Sequence, residues 1–213
     1  MRFGIRILAT LPAVMLLVPL ESGSAQRHRG LHDVTPPARH GFWLNLGAGA
    51  GSEYVRFSGE PGGWSEKNVQ PSVWIALGGT VSPNFRLGGE INAWVWQHRD
   101  RDTGYQLTDY LAGALLTGQY YPLGKAGFYL KGGAGLSRSG TDVEGGVGVG
   151  ETGFAWLLGT GYEIRLGRHV FLTPAINFMN HRSNPDPGDP DGLGTMHERV
   201  VTFGVGITIQ PGR

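Results

Sequence analysis

Three carboxylates, Asp186, Asp189 and Asp191, crowd one Pro-rich stretch near the C-terminus, and oxygen donors that dense are what a calcium ion takes. Their spacing is not that of an EF-hand loop, and Pro187 and Pro190 interrupt it, so Asn184 to Gly192 reads as a solvated acidic loop. Gly145-Gly-Val-Gly-Val-Gly150 could lay backbone N–H groups around a phosphate, but no strand-to-helix junction follows, and the run reads as an outer loop. His28, His32 and His40 sit in a polar N-terminal tail, where solvation rather than metal binding is expected. The reading therefore assigns no metal and no cofactor. The charges left with chemistry to do are Arg86, Glu90, Lys131 and Glu163, which period-two counting puts on the same face as Asn92, Thr117, Gln119 and Thr208. Enclosed together, acids and bases in near balance form a hydrogen-bonded ion-pair network, because an unpaired buried charge costs several kcal/mol. That chemistry is structural, and the chain is read as non-enzymatic.

Such a network needs a closed sheet around it. Val201-Thr-Phe-Gly-Val-Gly-Ile-Thr-Ile-Gln210 alternates strictly, with Val201, Phe203, Val205, Ile207 and Ile209 on one face and Thr202, Gly204, Gly206, Thr208 and Gln210 on the other. The same contrast recurs upstream over Phe42 to Tyr54, Val69 to Val81, Phe85 to Gln97, Asp109 to Tyr121, Phe128 to Ser137, Phe154 to Arg165 and Val170 to Asn180, and the last strand runs Val200 to Gln210. Eight strands result, each near the ~9–11 residues that cross a bilayer at a tilt. The connections after strands two, four and six are tight, through Ser82-Pro83-Asn84, Pro122 to Lys125 and Leu166 to Arg168. Those after strands one, three, five and seven are long and polar, the pattern of periplasmic turns and extracellular loops.

Composition agrees. The 213 residues include 37 glycines and 13 prolines, which signals turns rather than long helices. Charged residues make up 16% of the chain, the net charge is +1, and no basic stripe exists to neutralise a phosphate backbone, so nucleic acid is excluded as a partner. There is no cysteine, hence no disulfide and no thiolate metal site. Arg2 and Arg6 precede an apolar run from Ile7 to Leu20 that ends in Glu21-Ser-Gly-Ser-Ala25. This predicts a signal peptide over residues 1–25 cleaved after Ala25, a flexible leader over 26–40 and a barrel over 41–213. No later stretch is apolar enough to span as a helix, so insertion must use strands.

Volume decides which face points inward. An eight-stranded barrel has an interior only just wide enough for side chains, and Leu44, Leu46, Val73, Ile75, Leu77, Leu87, Ile91, Leu130, Trp156, Leu158, Ile176 and Phe178 would overfill it. Gly47, Gly49, Gly78, Gly88, Gly133, Gly159, Gly204 and their neighbours leave room on the opposite face for a few long polar chains. Apolar-out is the packing solution, with outward Phe42, Phe85, Tyr120, Phe128 and Tyr162 near the short turns and Tyr110, Phe154, Trp156 and Phe178 near the loops as two girdles. Trp43, Trp74, Trp94 and Trp96 fall on the inward parity, and Pro174 in strand seven predicts a bulge.

With Thr202, Gly204, Ile207 and Ile209 in place, the C-terminus resembles the polar-x-Gly-x-x-apolar-x-apolar signal of the last strand of outer-membrane barrels. The resemblance implies recognition of Thr202, Phe203, Gly204, Val205, Ile207 and Ile209 by the barrel-assembly machinery. The whole mature chain, including Gly127-Phe-Tyr-Leu-Lys-Gly-Gly-Ala-Gly-Leu-Ser137 and Gly159-Thr-Gly-Tyr-Glu-Ile-Arg-Leu-Gly-Arg168, looks like the small outer-membrane protein β-barrel domain family. That implies an all-β, eight-stranded antiparallel up-and-down transmembrane barrel in the outer membrane of a diderm bacterium, in contact with outer-membrane lipid and lipopolysaccharide. A second, local resemblance lies at the end of strand seven, where His181-Arg182-Ser183-Asn184 is similar to the His-x-Ser-Asn motif of lipid A 3-O-deacylases. It implies Ser183 as nucleophile, His181 as general base, Asn184 at the oxyanion and Glu198 orienting the histidine. Parity turns His181 and Ser183 toward the bore, whereas a deacylase presents its dyad to lipid. The expected role is structural or surface-interacting, with a polar, side-chain-filled lumen and long extracellular loops. Lipid A deacylation and a narrow pore for very small solutes are the alternatives.

Overall fold

The structure, a computed structural model, describes residues 39–57, 64–66, 69–100, 103–124, 126–146, 148–183 and 195–211. The expected signal peptide, the leader up to residue 38, Asn184 and the acidic positions Asp186, Asp189 and Asp191 lie outside the described residues.

Eight long strands follow one another: β1 Phe42–Phe57, β2 Gln70–Ser82, β3 Phe85–Arg99, β4 Gln106–Tyr120, β5 Phe128–Val143, β6 Val149–Tyr162, β7 Val170–Ser183 and β8 Met196–Ile209. Each pairs antiparallel with the next, and β8 pairs with β1 from Leu44↔Ile209 to Phe57↔Met196, so the sheet closes on itself and has no free edge. Two-residue segments add to it, Ser65–Glu66 on β1 and Ile164–Arg165 on β7. The alternation sets the faces. Leu46, Val73, Ile75, Leu77, Leu87, Ile91, Leu130, Leu158, Ile176, Phe203 and Val205 are exposed on the outside, while the alternate positions are enclosed.

The strands run 13 to 16 residues, longer than the ~9–11 that cross a bilayer. Most of the excess lies at the loop end, where apolar alternation has stopped but backbone pairing continues, as in Arg99↔Gln106 and Leu107↔Val143. Two expected long loops shrink accordingly, to Asp100–Tyr105 after β3 and Glu144–Gly148 after β5. The turn-side connection Tyr121–Gly127 is no shorter, so any contrast in length between the rims rests on residues 58–69 and 184–195.

Two further expectations are corrected. Strand six does not run unbroken to Arg165: β6 stops at Tyr162, and its pairing with β7 ends at Gly161↔Ala175 and resumes at Ile164↔Leu172. Pro174, which cannot donate to a ladder, stands opposite that interruption. Its register with β8 is unshifted at Val205↔Pro174, so there is no bulge. Glu163, just past the break, keeps its inward parity: its backbone N–H donates to Gly127 O at 2.9 Å, continuing the β5 ladder beyond Phe128↔Tyr162, and its side chain is buried in the bore. Arg39, within the span expected as leader, is buried among the turn-side connections.

Candidate functional site

The enclosed side chains fall into layers along the barrel. At the turn-side end, Arg86 is completely buried and donates to Glu163 Oε1, to the Tyr121 hydroxyl at 2.8 Å and to Gln210 Oε1 at 2.8 Å. Tyr121 donates in turn to Glu163 Oε1 at 3.0 Å. Arg39 enters from below, with Nε 3.4 Å from Glu163 Oε2, its two terminal nitrogens donating to Gly124 O and Ala126 O at 2.7 Å, and its guanidinium 3.5 Å from the Tyr121 ring centroid. One carboxylate thus serves two guanidiniums. Sequence reasoning missed Arg39, because nothing in its local pattern distinguishes it from the tail before it.

Higher up, Lys131 Nζ lies 2.9 Å from both oxygens of Glu90, and the pair is buried. Arg86 with Glu163 and Lys131 with Glu90 therefore form separate pairs, and Asn92 Nδ2 approaches Glu90 at 3.5 Å. Beside them Asn45 donates to Thr208 Oγ1 at 2.8 Å and accepts from Trp74 Nε1, while Thr173 and Thr208 share a hydrogen bond of 2.8 Å. Thr117 and Gln119 are buried in the same bore, where Gln119 Oε1 lies 3.0 Å from the Tyr121 hydroxyl.

Two of the inward tryptophans fill the space that glycines leave. A Cβ at Gly47 or Gly204 would fall on the Trp74 indole, and one at Gly88 on the Trp43 ring. Trp94 is buried with its Nε1 donating to Gly51 O at 2.9 Å. It belongs to an apolar layer of Trp94, Leu111, Leu115, Ala155, Leu157, Met179 and Val200, against which Trp96 packs. The bore is therefore not polar throughout, as the sequence suggested: a greasy stratum crosses it.

Toward the loops stand the residues of the deacylase resemblance. His181 and Ser183 are fully enclosed and Glu198 nearly so. His181 Nδ1 is 2.6 Å from Ser137 Oγ, not from Ser183, whose Oγ accepts the Met196 N–H at 3.3 Å. The lipid-facing dyad is thus not formed. Strand register is the reason, because it directs both side chains away from the outer wall. Beside them opens a cavity of about 410 Å³ at the mouth, lined by Glu53, Asp109, Ser139, Thr141, Glu151 and Glu198 among others. Among the described residues no group of three or more His, Asp or Glu is placed to hold a metal ion.

On the outer wall at the same end, β8 presents His197 and Arg199. His197 lies beyond the apolar belt that ends at Val201; burial and the neighbouring guanidiniums of Arg182, Arg199 and Arg56 hold its pKa below the usual histidine value. On the rest of β8, Phe203, Val205, Ile207 and Ile209 face out, whereas Thr202 and Gly204 face in.

A closed antiparallel barrel with an apolar exterior and a filled bore is the fold of the small outer-membrane β-barrels. The chain is similar in fold to Neisserial surface protein A (NspA), with a TM-score of 0.53 and 15% identity over 82% of this chain and 100% of that one. It is also similar to Ail, the attachment invasion locus protein of Yersinia pestis, with a TM-score of 0.50 and 8% identity over 79% of this chain and 99% of that one. At such identities the likeness is one of fold. No protein-family model matches the chain, and no curated protein does.

Proposed function

We propose that this is a non-enzymatic outer-membrane barrel whose sealed bore makes it a rigid scaffold, and whose surface toward the loops does the work of a structural or surface-interaction protein. One observation carries the reading: bulky apolar side chains are exposed along the outside of the closed sheet while the bore holds ion pairs, indoles and an apolar layer. Water would not tolerate that exterior, whereas hydrocarbon would, and a closed barrel is one of two architectures that satisfy every backbone group in lipid. Outer-membrane lipid and lipopolysaccharide are the partners such a wall meets. The barrel-assembly machinery is the partner that the C-terminal strand, with Thr202, Phe203, Gly204, Val205, Ile207 and Ile209, would engage. The short turns then face the periplasm and the loops the exterior.

The test is to fold the mature chain into phospholipid vesicles, follow heat-modifiable migration on gels, and then record across a planar bilayer. Folding into lipid without steady conductance is expected. A chain that is soluble and monomeric without amphiphile would overturn the membrane reading, and a steady single-channel current would overturn the sealed bore.

A further inference from the structure

At the loop-side ends of β1, β7 and β8 the charges are sorted across the wall. Glu53, Asp109 and Glu198 are buried on the bore side, whereas Arg56, Arg182 and Arg199 are exposed on the outside. The ladders gather the outer set: Arg56 and Arg182 are the cross-strand partners of His197 on its two sides, and Arg199 is the next outward residue of β8. Like charges so placed repel, and an anion seated among them turns that repulsion into attraction. The Arg199 guanidinium carbon lies 3.8 Å from the Trp64 ring centroid. Stacking of that kind occupies the guanidinium face and leaves its N–H edge for a bidentate contact with phosphate. Height matters as well. Val201 is exposed at the end of the apolar belt, and Arg199 stands about 7 Å further along the strand, at the level of lipid headgroups.

We propose that Arg56, Arg182 and Arg199, with His197 between them and Trp64 beside Arg199, form a docking patch on the outer wall for the phosphate groups of a phosphorylated glycolipid of the outer leaflet. The patch rests on the outer-membrane reading above and gives it a specific lipid-binding surface. A lipid headgroup is favoured over a soluble polyanion because the cluster faces sideways, directly over the belt, rather than into the cavity at the mouth, whose lining is acidic.

The experiment folds the mature chain into phosphatidylcholine vesicles that contain either bis-phosphorylated lipid A or the same lipid stripped of phosphate. The protein is then extracted in mild detergent, and retained glycolipid is counted by mass spectrometry. Wild type, R56Q/R182Q/R199Q and the control R99Q, which alters an exposed arginine of β3, are compared. Each cation near an anionic lipid surface contributes about fivefold. The triple variant should therefore retain at least about tenfold less phosphorylated lipid, with R99Q like wild type and dephosphorylated lipid retained by none. Equal retention by wild type and triple variant, or equal retention of the two lipids, overturns the patch. Binding of inositol hexakisphosphate without retention of phosphorylated lipid overturns the lipid assignment. Folding is read separately by heat-modifiable migration, so a chain that never inserts fails the outer-membrane reading itself, and the patch falls with it.

Discussion

Glu163 is the position where a single uncharged substitution should do the most damage. Its carboxylate faces two buried guanidiniums, Arg39 and Arg86, so the cluster carries two positive charges against one negative, a net +1. Glu163→Gln keeps the shape and one acceptor but takes the net charge to +2, two cations with no anion between them. Removing one partner of a buried pair costs about 3–5 kcal/mol. Arg86→Met, in contrast, takes the cluster to neutrality. It loses hydrogen bonds to Glu163, Tyr121 and Gln210 but leaves Glu163 with Arg39, so about 2–3 kcal/mol is expected. The order, E163Q worse than R86M, is the informative quantity, because simple loss of hydrogen bonds would give the reverse. Equilibrium unfolding in urea with the protein in phospholipid vesicles, read by tryptophan fluorescence, measures both. With slopes of about 1–3 kcal/mol per molar, E163Q should move the midpoint down by more than about 1 M. A midpoint for E163Q within error of wild type, or R86M the weaker of the two by 1 kcal/mol or more, would refute the charge argument.

Other substitutions follow from the same layers. Lys131→Met strands the Glu90 carboxylate, whose two oxygens Lys131 Nζ meets at 2.9 Å, and should cost about 3 kcal/mol in the same assay, with K131M/E90Q recovering part of it. Gly47→Val drives a side chain into the Trp74 indole, which Asn45 holds in place, and should lower the unfolding midpoint by the equivalent of about 3 kcal/mol; wild-type stability would show that the ring can move aside. Trp94→Ala empties part of the apolar layer at a cost of about 3–5 kcal/mol, and Leu111, Leu157 and Met179 should still block ions, so bilayer recordings should stay silent. Incubation with lipid A should release no 3-hydroxy fatty acid from wild type or Ser183→Ala; release lost only in the variant would restore the esterase reading.

The parts of this fold that could be read from sequence are those where one rule acts alone. Alternation in Val201 to Gln210 has a single interpretation once eight strands are counted, and it fixes the outward set on every strand where large and small residues strictly alternate. In β4 that contrast collapses. Leu111 and Leu115 point inward while Ala112 and Ala114 point outward, the reverse of the oily-outside pattern, and the apolar layer they build was therefore not visible. The tryptophans were placed on the right face but without a reason. The reason is distant in sequence: room for Trp74 comes from Gly47 on β1 and Gly204 on β8, and no local window contains all three. Arg39 is the same case in a stronger form, since the carbonyls that hold it come from 85 and 87 residues away.

Pro174 and Glu163 show which of these facts builds the site and which only lies beside it. Alone, a proline in a barrel strand suggests a bulge, and a glutamate on an inward parity suggests only a buried acid. The closed sheet sets them side by side: Pro174 falls opposite Tyr162, where β6 lets go of β7, one residue before Glu163. The backbone of Glu163 stays on the β5 ladder through Gly127, and its inward parity, shared with Ala155 and Leu157, carries the carboxylate to between Arg39 and Arg86. Glu163 keeps its parity and its Gly127 bond whether or not β7 pairs beside it, so replacing Pro174 by Val should tighten β6 on β7 and leave the turn-side cluster in place. The cost of E163Q should then be the same in P174V as in wild type to within about 0.5 kcal/mol, and a cost smaller by more than that would show that the gap at Pro174 is needed to seat the carboxylate.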